Sequence, residues 1–64
     1  MARVRAALQQ LTPLQQKVIL LRFLEELSLQ EVALALGRTV GSVKALQHRA
    51  VSGLQRILED GDEE

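Results

Sequence analysis

Cysteine is absent, so no disulfide or thiolate ligand can staple this fold. One histidine without clustered carboxylates falls short of a zinc ligand set, and neither a metal nor another cofactor is expected. Phe23 is the only aromatic residue, which argues against a stacking platform for single strands. The apolar run 18–21 is far too short to span a bilayer, and no apolar run exceeds five residues. The first ten residues lack the continuous apolar stretch of a secretory signal. These absences lead to the expectation of a cytoplasmic protein, or a fragment of one, without membrane insertion. Net charge is also missing: eight basic side chains balance eight acidic ones.

The balance is uneven along the chain. Five acids, Glu59, Asp60, Asp62, Glu63 and Glu64, crowd the last six positions. The first 58 residues then hold eight bases against three acids, a net +5. Residues 59–64 are expected to form a disordered acidic tail. The plain reading is a frayed, soluble end. The sharper one is a segment that screens a basic surface on the same domain.

What is present is helix-forming. Leucine, alanine, glutamine, glutamate and arginine dominate, and no strand-like alternation occurs. With 64 residues, the chain has room for one small domain that buries about 60% of its unfolded surface. An all-α domain of three to four helices is expected over residues 1–58. A marginal first helix covers 2–10, with Val4 and Leu8 on its inner face. Thr12-Pro13-Leu14-Gln15 carries a cap, a proline suited to the first turn and a capping box. It opens a helix expected over 13–26, with Leu14, Val18, Leu21, Phe23 and Leu24 buried and Lys17 and Arg22 exposed. Ser28-Leu29-Gln30-Glu31 repeats the box, with Leu27 and Val32 at staple positions. A helix over 29–36 follows and ends at Gly37. Thr39 caps the last helix, expected to reach residue 58. Gly53 within it either weakens the helix end or permits a close crossing.

On a wheel of about 100° per residue, Val43, Leu46, Ala50, Leu54 and Ile57 share one side of the last helix. Val40, Gln47, Val51 and Leu58 flank them. Lys44, Ala45, His48, Ser52, Gln55 and Arg56 fall opposite, with Arg49 at the edge. A short helix, a glycine turn and a longer capped helix describe a helix-turn-helix, whose second helix enters a DNA major groove. Its N-terminal turns reach base edges first, so Ser42, Lys44, Ala45 and His48 are candidate readers. Arg38, Thr39, Arg49 and Arg56 are candidate phosphate or edge contacts. His48 has no nucleophile or acid at helical spacing, and no enzymatic activity or small-molecule substrate is expected. The competing reading is a helical protein-interaction bundle whose polar face meets solvent.

Several spaced motifs sharpen this picture: Leu11-Thr12-Pro13-Leu14-Gln15-Gln16-Lys17-Val18-Ile19-Leu20-Leu21-Arg22, then Leu27-Ser28-Leu29-Gln30-Glu31-Val32-Ala33, then Gly41-Ser42-Val43-Lys44 and His48-Arg49-Ala50. Together they resemble region 4 of bacterial RNA polymerase sigma factors, in the style of the extracytoplasmic-function group. The resemblance implies binding of the upstream (−35) promoter element as duplex DNA for transcription initiation. It also implies docking on the flap of the polymerase β subunit, and an anti-sigma factor as a further partner. Thr39, Ser42, Lys44, Ala45, His48 and Arg49 match the recognition region, and Lys17, Leu21 and Arg22 the polymerase or anti-sigma contact. The sequence departs from the family pattern at Ala45 and Leu46, where serine and arginine are common. The family's promoter-melting domain is absent from these 64 residues, which alone are not expected to initiate transcription. Two alternatives stay open: a response-regulator output domain, and a module bound mainly by an anti-sigma factor or polymerase subunit.

Overall fold

The computed structural model describes the backbone of residues 2–62 and the side chains of residues 3–60. Among these residues the fold is all-α. Helix α1 spans Ala2–Leu8, α2 Pro13–Ile19, α3 Leu29–Leu36 and α4 Val40–Asp62. A single π-helical turn, Leu20–Leu24, continues directly from α2. No described helix is long and apolar enough to cross a membrane.

The helix boundaries follow local hydrogen bonding. Thr12 Oγ1 accepts from the Gln15 amide at 3.2 Å, and Gln15 Oε1 accepts from the Thr12 amide at 3.2 Å. Ser28 and Glu31 form the same reciprocal box at 3.1 and 2.7 Å. Each box satisfies two amides that the helix itself cannot pair. Gly37 ends α3 with φ +66°, and the Arg38 amide then donates to the Ala33 carbonyl at 2.8 Å. Thr39 caps α4 by accepting from the Ser42 amide at 3.1 Å.

The core has two parts, both built on α4. Val18, Val32, Ala33 and Val43 form one buried cluster, edged by Leu21, Leu27, Leu29, Leu36 and Leu46. Val43 thus locks α4 against both α2 and α3. Leu11, Ile19 and Ala50 form the second, with Leu8, Val51 and Ile57 around it. Gly53 sits over this second cluster. A β-carbon there would lie 3.3 Å from Leu11 Cδ2, so the glycine serves a close approach.

Four expectations need correction. The helix expected over 13–26 changes character after Ile19. The Glu25 amide bonds to the Leu20 carbonyl, five residues back, at 3.0 Å. This wider turn holds an extra residue and shifts the side-chain register. Phe23 and Leu24, expected inside, are therefore 53% and 72% exposed, while Ile19 is buried. Arg22, expected in solvent, is half-buried because two of its nitrogens bond within the domain. α1 ends at Leu8 rather than 10 and buries Ala7, leaving Val4 37% exposed. α4 runs four residues past 58, to Asp62, so the acidic segment begins on helix. Residues 63 and 64 lie outside the described residues.

Candidate nucleic-acid interface

α3, the Gly37 turn and α4 place one polar helix face outward. Lys44, Ala45, His48, Arg49, Gln55 and Arg56 are all exposed along it, while Ser52, expected among them, is half-buried. Lys44 and His48 are one turn apart, and Ala45 lies between them on the helix surface. Arg56 lies twelve positions beyond Lys44, or about 18 Å along the axis. A helix entering a groove at its N-terminus would therefore bring Lys44, Ala45 and His48 to the bases and leave Arg56 for the backbone.

The N-terminus of α4 is a bonded cluster. Arg38 Nη1 donates to Ser42 Oγ at 3.1 Å, and Thr39 Oγ1 takes the Ser42 amide. Arg38 and Thr39 are exposed, and Ser42 is half-buried beneath the arginine. The first turn carries no acid, so the positive end of the helix dipole meets an anion there without a competing carboxylate. The structure thus brings Arg38, Thr39, Ser42, Lys44, Ala45 and His48 to one end of α4.

The residues expected at a polymerase or anti-sigma contact do not form one exposed surface. Lys17 is exposed, Leu21 packs on the first core cluster, and Arg22 turns inward. The exposed apolar surface lies nearby instead. Val4, Arg5, Leu8, Leu20 and Leu24 line a groove of about 290 Å³ between α1 and the π turn, whose walls are mainly apolar. The shift of register caused by the π turn exposes Leu24 here, and periodicity read at 3.6 residues per turn misses it. Leu34 is also missed: it stands 85% exposed on α3.

Arg22 is the other residue whose role the linear pattern hides. Its Nε donates to Gln47 Oε1 on α4 at 2.8 Å, and its Nη1 donates to the Leu27 carbonyl at 2.6 Å. Its guanidinium carbon lies 5.8 Å from the Phe23 ring centroid. The only hint in the sequence is the place of Gln47 beside the apolar arc.

These features define a helix-turn-helix binding module. The family described as Sigma-70, region 4, matches residues 1–52, and the chain belongs to that family, in its extracytoplasmic-function branch. It is 46% identical over 54 residues to the ECF RNA polymerase sigma factor BldN of Streptomyces coelicolor, covering 84% of this chain and 20% of BldN. It is 43% identical over 56 residues to the RNA polymerase sigma-E factor of Streptomyces antibioticus, covering 88% and 31%. The same identity over 56 residues relates it to the ECF RNA polymerase sigma factor SigX of Bacillus subtilis, covering 88% and 29%. The chain thus spans less than a third of the length of these relatives. A solved structure of an RsbN–BldN complex superposes with a TM-score of 0.84 at 43% identity, over 88% of this chain and 41% of that one. Region 4 is a non-catalytic module of a transcription factor.

Proposed function

We propose that this chain is a two-sided binding module of transcription initiation. One side, the exposed face of α4, reads the −35 promoter element as duplex DNA in the cytoplasm. The other, the groove between α1 and the π turn, receives a protein. The observation that carries the DNA reading is the α4 N-terminus: an acid-free, capped first turn with Arg38, Lys44, His48 and Arg49 around it. The major groove is about 12 Å wide and admits one helix. Lys44 and His48 then face base edges, Ala45 offers a methyl contact to thymine, and Ser42 completes the turn. Arg38, Thr39, Arg49 and Arg56 hold phosphates.

Protein binding has the more direct support, since the BldN relative of the same fold is solved in complex with a second protein, RsbN. The groove offers a partner apolar area at Val4, Leu8, Leu20 and Leu24, with Arg5 on its wall. An anti-sigma factor seated there competes with the β-subunit flap of polymerase for one surface. Lys17, exposed on α2, extends the same contact.

One isolated module makes few phosphate contacts, so micromolar or weaker affinity is expected. Attachment to polymerase raises the effective concentration at the promoter. The test is an NMR titration of labelled protein with duplex DNA recovered by the wild type from a randomised pool. Shifts concentrated on residues 42–49, weakened by Lys44→Ala and Arg49→Ala, are the expected result. Shifts confined to α1 and the π turn would refute the assignment of α4 as the reading helix.

A further inference from the structure

Gln47 occupies the third turn of α4, three residues after Lys44 and next to His48, at the border of core and polar face. Its amide has two ends of opposite character, an acceptor oxygen and a donor nitrogen. Arginine carries only donors. The atom facing Arg22 Nε at 2.8 Å must therefore be Oε1. The amide orientation is fixed by chemistry. Arg22 is itself held by its second bond, from Nη1 to the Leu27 carbonyl at 2.6 Å.

Nε2 must then point elsewhere. No described residue accepts a hydrogen bond from it, and no buried side-chain nitrogen or oxygen among the described residues lacks a partner. Nε2 therefore reaches solvent. It does so from the helix that carries Lys44 and His48. A free glutamine can turn its amide to pair with adenine, accepting from N6 while donating to N7. A glutamine whose oxygen is held toward a half-buried arginine presents only its donor nitrogen to the groove.

We propose that Gln47 is a donor-only DNA contact and that Arg22 is the residue that positions it. Arg22 touches no DNA. It holds Oε1 inward so that Nε2 meets a keto oxygen, guanine O6 or thymine O4, and is mismatched to the amino groups of adenine and cytosine. This inference rests on α4 being the DNA-reading helix.

The experiment compares four proteins, wild type and the variants Arg22→Lys, Gln47→Met and Lys44→Ala. Each is titrated with the duplex that wild type recovers from a randomised pool. Wild type and Arg22→Lys are also reselected on that pool, and thermal unfolding is followed in parallel. Lysine keeps the charge but lacks the fixed fork that spans Gln47 and Leu27. Arg22→Lys is expected to lose three- to fivefold in affinity and to accept adenine at one position where wild type does not. Gln47→Met, similar in length but without the donor, is expected to lose about tenfold. A folded Gln47→Met that binds within twofold of wild type, while Lys44→Ala loses more than fivefold, overturns the proposal and leaves the reading helix standing. Unchanged base preference in a folded Arg22→Lys overturns the positioning role. If Lys44→Ala and Gln47→Met both bind like wild type, the DNA reading by α4 fails and the inference falls with it.

Discussion

The turn after the π helix provides a stability test whose sign can be worked out beforehand. Glu26 holds φ +58°, the only non-glycine residue with positive φ among those described. A side chain with a β-carbon pays roughly 1–2 kcal/mol for that left-handed conformation. Glycine pays nothing there but loses about 0.5–1 kcal/mol more chain entropy on folding. No hydrogen bond is lost with the Glu26 side chain, which is exposed and has no hydrogen-bond partner among the described residues. Its negative charge sits just past a helix C-terminus, where the dipole disfavours it by a few tenths of a kcal/mol, about 0.3. Relief of strain therefore wins. Glu26→Gly should stabilise the domain by about 0.5–1 kcal/mol. For a domain this small, that raises Tm by roughly 3–6 °C. Glu26→Ala keeps the β-carbon and removes only the charge, so it should change Tm by less than about 2 °C. Circular-dichroism melts of the three proteins at equal concentration measure this. A Glu26→Gly protein that melts at or below Glu26→Ala would show that left-handed strain at this turn is not what the geometry indicates.

Three further outcomes follow from packing and charge. Val43 is fully buried between α2 and α3, so Val43→Ala should cost about 2–3 kcal/mol in denaturant unfolding and weaken DNA binding only through loss of folded protein. At Gly53, a helix gain of about 1 kcal/mol competes with the 3.3 Å approach to Leu11 Cδ2. Gly53→Ala should thus be nearly neutral, whereas Gly53→Leu should unfold the second cluster; equal melts for the two would refute the close crossing. Leu24, 72% exposed on the groove, tolerates charge without cost to the fold. Leu24→Asp should abolish capture of a purified anti-sigma partner while leaving duplex binding within about twofold, or 0.4 kcal/mol, of wild type.

Capping boxes, the Gly37 stop and the apolar seam of α4 were legible in the sequence because each depends on residues within one or two turns. Thr12 and Gln15, or Ser28 and Glu31, satisfy their amides wherever the rest of the chain goes. The candidate reading face was legible for the same reason: Lys44, Ala45 and His48 are outward once Val43 and Ala50 are inward. The π turn was not. Nothing in Leu20-Leu21-Arg22-Phe23-Leu24 breaks a 3.6-residue pattern, and an apolar run allows either register. The choice rests on tertiary contacts. Leu21 packs on the first cluster, and Arg22 reaches Gln47 across 25 positions of sequence. Once Arg22 turns inward, Phe23 and Leu24 must turn out, and the groove with them. A residue read as a solvated cation is thereby the one that ties the π turn to α4.

The same geometry decides what the acidic end can do. A tail able to fold back on the basic face would have accounted for the neutral total charge. α4 instead continues unbroken past the start of that segment, to Asp62. Glu59 lies fifteen positions beyond Lys44, about 22 Å along the helix axis. The Debye length at physiological ionic strength is about 8 Å, so the interaction between exposed charges at that separation is largely screened. Arg56, one turn from Glu59 and Asp60, is the exception, and its pull on a phosphate is correspondingly reduced. Arg38, Lys44, His48 and Arg49 stand well clear of those two acids. The neutral total therefore conceals a basic N-terminal half of α4 that lies beyond the reach of Glu59 and Asp60.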